Sequence, residues 1–353
     1  MLGSILLFFV IFTILVTSHE LGHFLIARMN GIRVTEFFIG MGPTLWQKKK
    51  GDTTYSIRLL PVGGACVFDG ETGFETEEEQ RVFDEHSFQN VSVWGRIATL
   101  FAGPFFNFIL AYLVALILVS FSAWSFPTIS GLTEDSAAAA AGLAEGDTIL
   151  RMNGERVYSG QEVSLLSMFA DGDPMEIVYQ PAGSTETRTV SVLPRYDEAA
   201  ERYFLGIYIG HYDSIPVIKA PLYAWYEVRY YLRATWKSLA LLVHGKMRMD
   251  DFSGPVGMVK IVDESVETAK PYGLPSVLLT LMDLLILLST NLGVMNLLPI
   301  PALDGGRLIF QFIEAIRGKP VPRDKEGIVH LAGMALLLVF MVIVLFNDIG
   351  KFL

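Results

Sequence analysis

The chain has 353 residues, of which 52% are hydrophobic and 18% are charged, and its mean hydropathy is +0.43. This balance favours a polytopic membrane protein over a soluble enzyme. The formal net charge of -10 argues against a nucleic-acid partner, since no part of the sequence resembles a basic stripe. The single cysteine, Cys66, excludes an intrachain disulfide and a thiolate-rich zinc site. A metal site in this chain must therefore use histidine and carboxylate ligands.

Four apolar runs are long enough to cross the hydrocarbon core of a membrane, which takes about 20 helical residues. They cover residues 2–27, 97–121, 277–298 and 328–346. The first run has neither the basic leading region nor the cleavage site of a signal peptide, so we interpret it as a retained span. Basic residues concentrate between the third and fourth runs, and the positive-inside rule then predicts that this loop is cytoplasmic and that both termini face outward.

The first run ends in TSHELGHFLI, residues 17–26, where ionisable side chains interrupt an apolar helix. His19, Glu20 and His23 match the H-E-x-x-H pattern, in which positions i and i+4 share a helix face and can hold one metal ion, while the glutamate can reach a water molecule beside it. Ionisable groups in a span cost about 2.5 kcal/mol or more each, so a retained cluster indicates a function. The spacing predicts a hydrolytic metal centre that still lacks one protein ligand.

The third run ends in NLGVMNLLPIPALDGGRL, and Asp304 within it is the candidate for the missing ligand. Pro299 and Pro301 cannot continue a helix, so the run is expected to break at membrane depth, which is tolerated where the backbone is buried or lines a wet cavity. The alternative role for Asp304 is to cap the N-terminus of the helix that follows. The spacing alone leaves both roles open.

HELGH in the first run, FAGPFFNFILA in the second and NLLPIPALDGG in the third together resemble the site-2 protease family of intramembrane zinc metalloproteases. The segment FFIGMGPTLWQKKKGDTTYSIRLLPVGGACVFDGE and an inserted domain narrow the resemblance to the bacterial regulator-of-sigma-E protease type. The resemblance implies that His19, His23 and Asp304 bind one Zn²⁺ ion and that Glu20 is the catalytic base.

Other matched positions concern the substrate. The resemblance places Asn291 and Asn296 in the stretch that holds an unwound substrate, whereas hydrogen bonding between helices is the alternative. The alternating stretch 53–68 predicts two strands that turn at Gly63 and Gly64, on the cytoplasmic side of the first span. This element, which is re-entrant in the family, either receives the substrate by strand addition or only covers the site.

The second-run motif contributes Gly103, Pro104 and Asn107. We interpret Gly103 and Pro104 as permitting close helix approach and a kink rather than taking part in the chemistry. The other histidines are isolated in the sequence, and we expect each to be structural or solvent-facing. They are His86, His211, His244 and His330.

Between the second and third runs, the composition of residues 127–210 is that of a small soluble domain, with helix, turn and strand signals in succession. It resembles a single PDZ domain of the circularly permuted bacterial kind. This resemblance implies a peptide-binding loop at Phe204, Leu205 and Gly206, whose amides receive a chain-terminal carboxylate. A filter that excludes substrates with bulky ectodomains is an equally open role.

The sequence thus predicts a polytopic α-helical membrane protein with four transmembrane helices, a cytoplasmic-side re-entrant β-hairpin and one inserted extracytoplasmic PDZ domain of mixed α/β structure. The acidic run FETEEEQRVFDEHSF, residues 74–88, is expected to be a solvated connector. Residues 213–274 include a helix whose apolar stripe suits the membrane interface; the stripe consists of Trp225, Val228, Leu232, Trp236, Leu239 and Val243. The predicted domains are 1–123, 124–212, 213–274 and 275–353.

The predicted function is that of an intramembrane zinc endopeptidase of the bacterial plasma membrane, with its active site toward the cytoplasmic side. The resemblance implies single-span substrates, either anti-sigma-factor-like proteins or signal-peptide remnants, in regulated intramembrane proteolysis. One alternative is a non-catalytic membrane adaptor that uses its PDZ domain, against which Glu20 argues because a structural zinc site needs no such carboxylate. The other is a metal transporter, which would need ionisable residues at several depths.

Overall fold

The structure, a computed structural model, describes residues 2–70, 84–134, 136–198, 202–245 and 252–351. Most of the predicted acidic connector therefore lies outside the described residues. The chain divides into two compact units, one made of Met1–Val114 together with Thr235–Leu353 and the other of Ala115–Ala234. The first unit contains the H-E-x-x-H helix, and the second contains the inserted domain.

Helices and strands are numbered here in chain order over the described residues. The helices are α1 (Leu2–Met29), α2 (Val93–Phe121), α3 (Ala137–Ala140), α4 (Gly160–Met168), α5 (Ala220–Val243), α6 (Pro255–Ala269), α7 (Leu274–Leu297), α8 (Asp304–Arg317) and α9 (Arg323–Gly350). The strands are β1 (Val34–Lys50), β2 (Thr53–Phe68), β3 (Ala123–Leu132), β4 (Thr148–Met152), β5 (Glu155–Arg156), β6 (Met175–Gln180), β7 (Arg188–Val192), β8 (Arg195–Asp197), β9 (Arg202–Phe204) and β10 (Ile207–Ser214).

Helices α1, α2, α7 and α9 are long and apolar enough to cross a membrane. Three of them contain a predicted apolar run, and α7 ends one residue before its run 277–298 does. Helix α2 begins before its run because Ser92 caps it, accepting a hydrogen bond from the Gly95 N–H. Helix α7 ends at Leu297, ahead of Pro299 and Pro301, so the predicted break in the third run is present.

Strands β1 and β2 form a sheet of irregular register beside α1. Residues 34–39 of β1 pair with residues 64–68 of β2 on one side and with residues 54–57 on the other. Residues 46–50 pair with the outer side of residues 53–57. The segment 64–68 therefore lies at an edge of this sheet among the described strands.

The predicted turn at Gly63 and Gly64 is wrong. The tight turn is Gly51–Asp52, between β1 and β2, where Gly51 has a φ of 62° that suits a two-residue hairpin loop. The two halves of β2 do not pair with each other, because residues 34–39 lie between them. Alternation within 53–68 could not reveal that a strand from earlier in the chain separates these halves.

The second unit, Ala115–Ala234, is built on an antiparallel sheet in the order β10-β3-β4-β6-β7, with β5 paired to β4. Inward-facing strand residues fill its core, where Ile129, Ile149, Met152 and Ile177 are each at most 1% exposed. Strand β10 stands at the end of this order, so one edge of the sheet is open among the described strands.

The beginning of α5 is anchored within the second unit. The fully buried Glu162 of α4 binds Arg229 and Arg233, at 2.6 Å and 3.2 Å from its Oε1. The predicted apolar stripe of this helix is divided, since Val228 is 2% exposed while Trp225 is 50% exposed. Part of that stripe thus packs in the second unit and part remains available to a membrane interface.

Candidate active site

Helix α1 presents two histidines from one face. The Nε2 atoms of His19 and His23 lie 3.2 Å apart, and the two rings stand nearly perpendicular, at 87°. Both residues are at most 9% exposed. The i, i+4 spacing therefore directs two imidazole nitrogens to one point, as the sequence predicted.

The third candidate ligand comes from the segment that follows α7. Oδ2 of Asp304 lies 3.1 Å from Nε2 of His19 and 3.4 Å from Nε2 of His23. The candidate ligand atoms of these three residues all lie within 4.8 Å of one another. Residues that are far apart in the sequence thus converge on one place.

Asp304 is the first residue of α8, and Leu303 occupies the N-cap position before it. Because Asp304 lies inside the helix, and no side chain among the described residues makes a capping hydrogen bond at this helix end, the capping role that the sequence left open is wrong. The preceding loop is held by the fourth span, because the N–H of Ala302 donates to Nδ1 of His330 at 2.9 Å. Ala302 has a φ of 79°, which is uncommon for a residue other than glycine.

One face of α2 supports the two imidazoles. Thr99, Gly103 and Asn107 recur at four-residue intervals and therefore share that face. Nδ1 of His23 lies 2.8 Å from the main-chain oxygen of Thr99, and Nδ1 of His19 lies 3.2 Å from Nδ2 of Asn107. A β-carbon on Gly103 would lie only 2.3 Å from Nε2 of His23. Glycine at this position leaves the space that the rings occupy.

Glu20 is directed toward the sheet. Its Oε2 accepts a 2.8 Å hydrogen bond from the main-chain N–H of Cys66, in the edge segment 64–68. That N–H therefore points away from the paired strand, and because direction alternates along a strand, the polar groups of Gly64 point the same way. A β-carbon on Gly64 would lie 3.7 Å from Cγ of Glu20. This edge of the sheet thus lies directly beside Glu20.

The donor set fits zinc. Two imidazole nitrogens and one carboxylate oxygen, with one position left for water, form a common catalytic zinc pattern. Oδ2 of Asp304 is buried and receives no hydrogen bond within the described part of the chain, which is unfavourable for a carboxylate unless a cation binds it. Nδ1 of His23 faces a carbonyl oxygen and so carries the ring proton, which leaves Nε2 free to bind a metal.

The residues predicted to contact substrate lie at different places in the first unit. Oδ1 of Asn291 accepts a short hydrogen bond from the hydroxyl of Thr235 in α5, which is the helix-to-helix alternative. Asn296 is half-buried in the last turn of α7. Gly63 lies at a bend of β2, with a φ of 76°, next to the side chain of Met41.

The predicted peptide loop of the second unit makes two backbone contacts with the segment before and within α3. Phe204 ends β9, Leu205 is 1% exposed and Gly206 has a φ of 73°. The carbonyl oxygens of Leu205 and Gly206 each accept a 3.0 Å hydrogen bond, from the N–H of Ala138 and of Thr133. The loop borders a cavity of about 670 Å³.

Sequence reasoning missed the contacts of Thr99, Asn107 and His330 with this site. The four-residue spacing of Thr99, Gly103 and Asn107 showed that these residues share one face of α2, but it did not show that this face meets α1. No local pattern distinguishes His330, since its partner is a main-chain N–H in a loop 28 residues earlier.

Residues 7–340 match the family model described as Peptidase family M50. The chain is 32% identical over 427 residues to the regulator of sigma-W protease RasP of Bacillus subtilis, with 99% of each chain covered. It is also 32% identical over 426 residues to the zinc metalloprotease RasP of Geobacillus kaustophilus, again with 99% of each chain covered. The chain belongs to peptidase family M50.

The M50 chain is a multi-pass membrane protein and a zinc metalloprotease, so the predicted family, enzyme class and cofactor are confirmed. Among solved structures, the PDZ domain of the SdrC-like protein from Listeria innocua matches 26% of the M50 chain and 99% of its own length, at 23% identity and a TM-score of 0.22.

Proposed function

We propose that His19, His23 and Asp304 bind the zinc ion of this M50 peptidase and that Glu20 is the general base and acid. The observation that carries this assignment is the convergence of three candidate ligand atoms within 4.8 Å. Glu20 directly follows the first of these residues, His19, in the sequence. The reaction is hydrolysis of a peptide bond in the membrane-spanning segment of another protein.

Zinc, when bound, supplies a Lewis acid that polarises the scissile carbonyl and lowers the pKa of the attacking water. The carboxylate of Glu20 takes a proton from that water as its oxygen adds to the carbonyl carbon. The same carboxyl then gives the proton to the nitrogen that leaves when the C–N bond breaks. No serine or cysteine nucleophile is needed, because water is the nucleophile.

The edge segment 64–68 is the substrate-aligning element in this proposal. A transmembrane helix shields its carbonyls, since each accepts a hydrogen bond from an amide four residues on, so the substrate must be locally unwound. An unwound segment could add as a strand along Gly64 and Cys66, whose main-chain groups face outward beside Glu20. Asn296, in the last turn of α7, is a further proposed substrate contact. Asn291 and Gly63 are also proposed to contact the substrate.

The proposed substrates are single-span membrane proteins of the anti-sigma-factor kind, or signal-peptide remnants, cut in regulated intramembrane proteolysis. The relative named regulator of sigma-W protease supports this class. The proposed location is the bacterial plasma membrane, with the active site toward the cytoplasm and the second unit outside. The basic residues between the third and fourth apolar runs support this orientation under the positive-inside rule; they are Arg307, Arg317, Lys319, Arg323 and Lys325.

The domain division 1–123, 124–212, 213–274 and 275–353 is also part of the proposal, with a PDZ domain as the second element. Two features support a peptide ligand there, the open edge at β10 and the cavity beside Phe204, Leu205 and Gly206. A size filter is the alternative role. Binding of a fluorescent peptide with a free carboxyl terminus, compared with its amidated form, separates the two roles.

The decisive experiment compares cleavage of a tagged single-span reporter by the wild-type protein and by Glu20→Gln, with bound zinc quantified in both. We expect the variant to retain zinc and to lose cleavage, because the amide cannot take the proton. Retained cleavage would overturn the assignment of Glu20. Rescue of a cellular function by the inactive variant would instead favour the non-catalytic adaptor.

A further inference from the structure

We infer that the carboxamide of Asn107 positions His19 as a metal ligand, by accepting a hydrogen bond from the Nδ1–H of its ring through Oδ1. The inference rests on the proposed ligand set. It assigns a supporting role to a residue of α2 that touches neither substrate nor metal.

The surroundings of Asn107 are unusual. The residue is 0% exposed, and its Nδ2 lies 3.2 Å from Nδ1 of His19. Its Oδ1 is buried and has no hydrogen-bond partner among the described residues. A buried amide oxygen without a donor is costly, so this arrangement calls for a physical reason.

The required tautomer of His19 supplies that reason. Nε2 is the atom that faces Asp304 and His23, so its lone pair must be free for the metal and the ring proton must be on Nδ1. Nδ1–H is then a donor, and Nδ2 of Asn107 is also a donor. Two donors cannot bond to each other.

Rotation of the carboxamide by 180° removes the conflict. The oxygen and nitrogen ends of an amide have nearly the same shape, and their assignment follows from the hydrogen bonds that they make. After rotation, Oδ1 accepts from Nδ1–H of His19, so the buried oxygen gains a donor, and Nδ2 takes the former place of the oxygen, where no donor of the described residues faces it. The unpartnered oxygen of Asn107 and the tautomer of His19 are thus explained by one rotation.

His23 shows the same arrangement without ambiguity. Its Nδ1 faces the main-chain oxygen of Thr99, which can only accept, so its ring proton is fixed and its Nε2 is free. Thr99 and Asn107 lie two turns apart on α2, and between them they support the two ligands of α1. One helix therefore holds both rings, through a carbonyl for one and a carboxamide for the other.

Asn107 is itself held in place by the helix that leads to the third ligand. The hydroxyl of Ser289 in α7 donates to the main-chain oxygen of Asn107 at 2.7 Å, and both residues are fully buried. This bond uses the main chain and leaves the carboxamide for His19. Ser289 therefore offers a matched control, since its loss disturbs the same region without removing the acceptor.

The test measures zinc affinity by competition with a chelator, in detergent, for wild type, Asn107→Leu, Asn107→Asp and Ser289→Ala. Leucine has a similar volume and cannot accept, so we expect it to weaken zinc binding by about 10- to 100-fold, as loss of such supporting groups does. An ionised aspartate can only accept, so we expect zinc affinity within about threefold of wild type. The zinc affinity of Ser289→Ala should also stay within about threefold of wild type. The absorption spectrum of bound Co²⁺ should change only in Asn107→Leu.

Two results would overturn the inference. One is wild-type zinc affinity in Asn107→Leu, and the other is a loss in Asn107→Asp, since that loss would mean that the ring needs a donor from residue 107. If thermal unfolding shows that the leucine variant is not folded, the aspartate variant alone decides. His23→Ala tests the proposed ligand set separately from the role of Asn107. If this variant binds zinc as tightly as wild type, the ligand set is wrong, and the inference about Asn107 is wrong with it.

Discussion

Gly103 of α2 lies so close to His23 of α1 that a β-carbon on the glycine would be 2.3 Å from Nε2 of the imidazole. Gly103→Ala should therefore displace the ring and, with it, a proposed zinc ligand. A displacement of about 1 Å in a catalytic group can lower the rate about 100-fold, and we expect a loss of that order in reporter cleavage, with weaker zinc binding. Gly3→Ala is the matched control, since its β-carbon would meet nothing within 4 Å, and it should leave both unchanged.

A buried ion pair connects α2 to α8, the helix that starts with Asp304. The guanidinium of Arg96 donates to both carboxylate oxygens of Glu314, at 3.0 Å and 2.5 Å. Arg96→Met leaves a mostly buried carboxylate unpaired and should lower the free energy of unfolding by about 3–5 kcal/mol, measured in detergent. Combining it with Glu314→Leu should recover much of that loss, because no charge then remains buried. A double variant as unstable as the single one would contradict this account.

His330 holds the loop before Asp304 by accepting a hydrogen bond from the N–H of Ala302. His330→Leu removes the acceptor, which is worth about 1 kcal/mol net, from a loop whose φ of 79° at Ala302 is already unfavourable. A free energy of about 1 kcal/mol corresponds to about a fivefold change in an equilibrium constant, so we expect zinc affinity and cleavage to fall about fivefold. His330→Asn, whose Oδ1 can occupy the place of Nδ1, should restore most of both. Equal effects of the two variants would exclude the hydrogen bond as the cause.

The main-chain N–H of Cys66 can be removed without removing the sheet. Proline is tolerated at the outward-facing positions of an edge strand, so Cys66→Pro deletes the hydrogen bond to Glu20 while the pairing of 64–68 with 34–39 remains. We expect cleavage to fall by about 10- to 100-fold with zinc retained, because the carboxylate loses its orienting donor. Cys66→Ala keeps the N–H and should cleave normally. Unchanged cleavage by the proline variant would exclude this edge from the site.

A pair outside the membrane spans should make stability depend on pH. The hydrogen bond from Arg33 to the carboxylate of Asp84 holds the pKa of that carboxyl below its ordinary value. Because the folded pKa is depressed, the pair stabilises the fold above the ordinary pKa of aspartate, about 4, and this contribution is lost as pH falls through the folded pKa. Asp84→Asn should therefore lower the melting temperature slightly at pH 7 and have no effect at the lowest pH.

The local features of the site were predictable because they depend on neighbouring residues. The H-E-x-x-H spacing sets two histidines on one helix face whatever surrounds them, and Pro299 and Pro301 end the third span by their own chemistry. The prediction of a turn at Gly63 and Gly64 was wrong because the strand pairing there is not a local property. Its pairing depends on residues 34–39, which come from another part of the chain.

The sequence by itself determined the four apolar helices, the pair of histidines and the glutamate between them, because hydrophobic length and helical periodicity are local properties. Only the tertiary structure decided that Asp304 is a ligand candidate rather than a helix cap, since that depends on how α8 meets α1. It also decided which atoms hold the two imidazoles. Thr99 and Asn107 acquire those roles from the packing of α2 against α1, and no spacing within either helix specifies a contact between them.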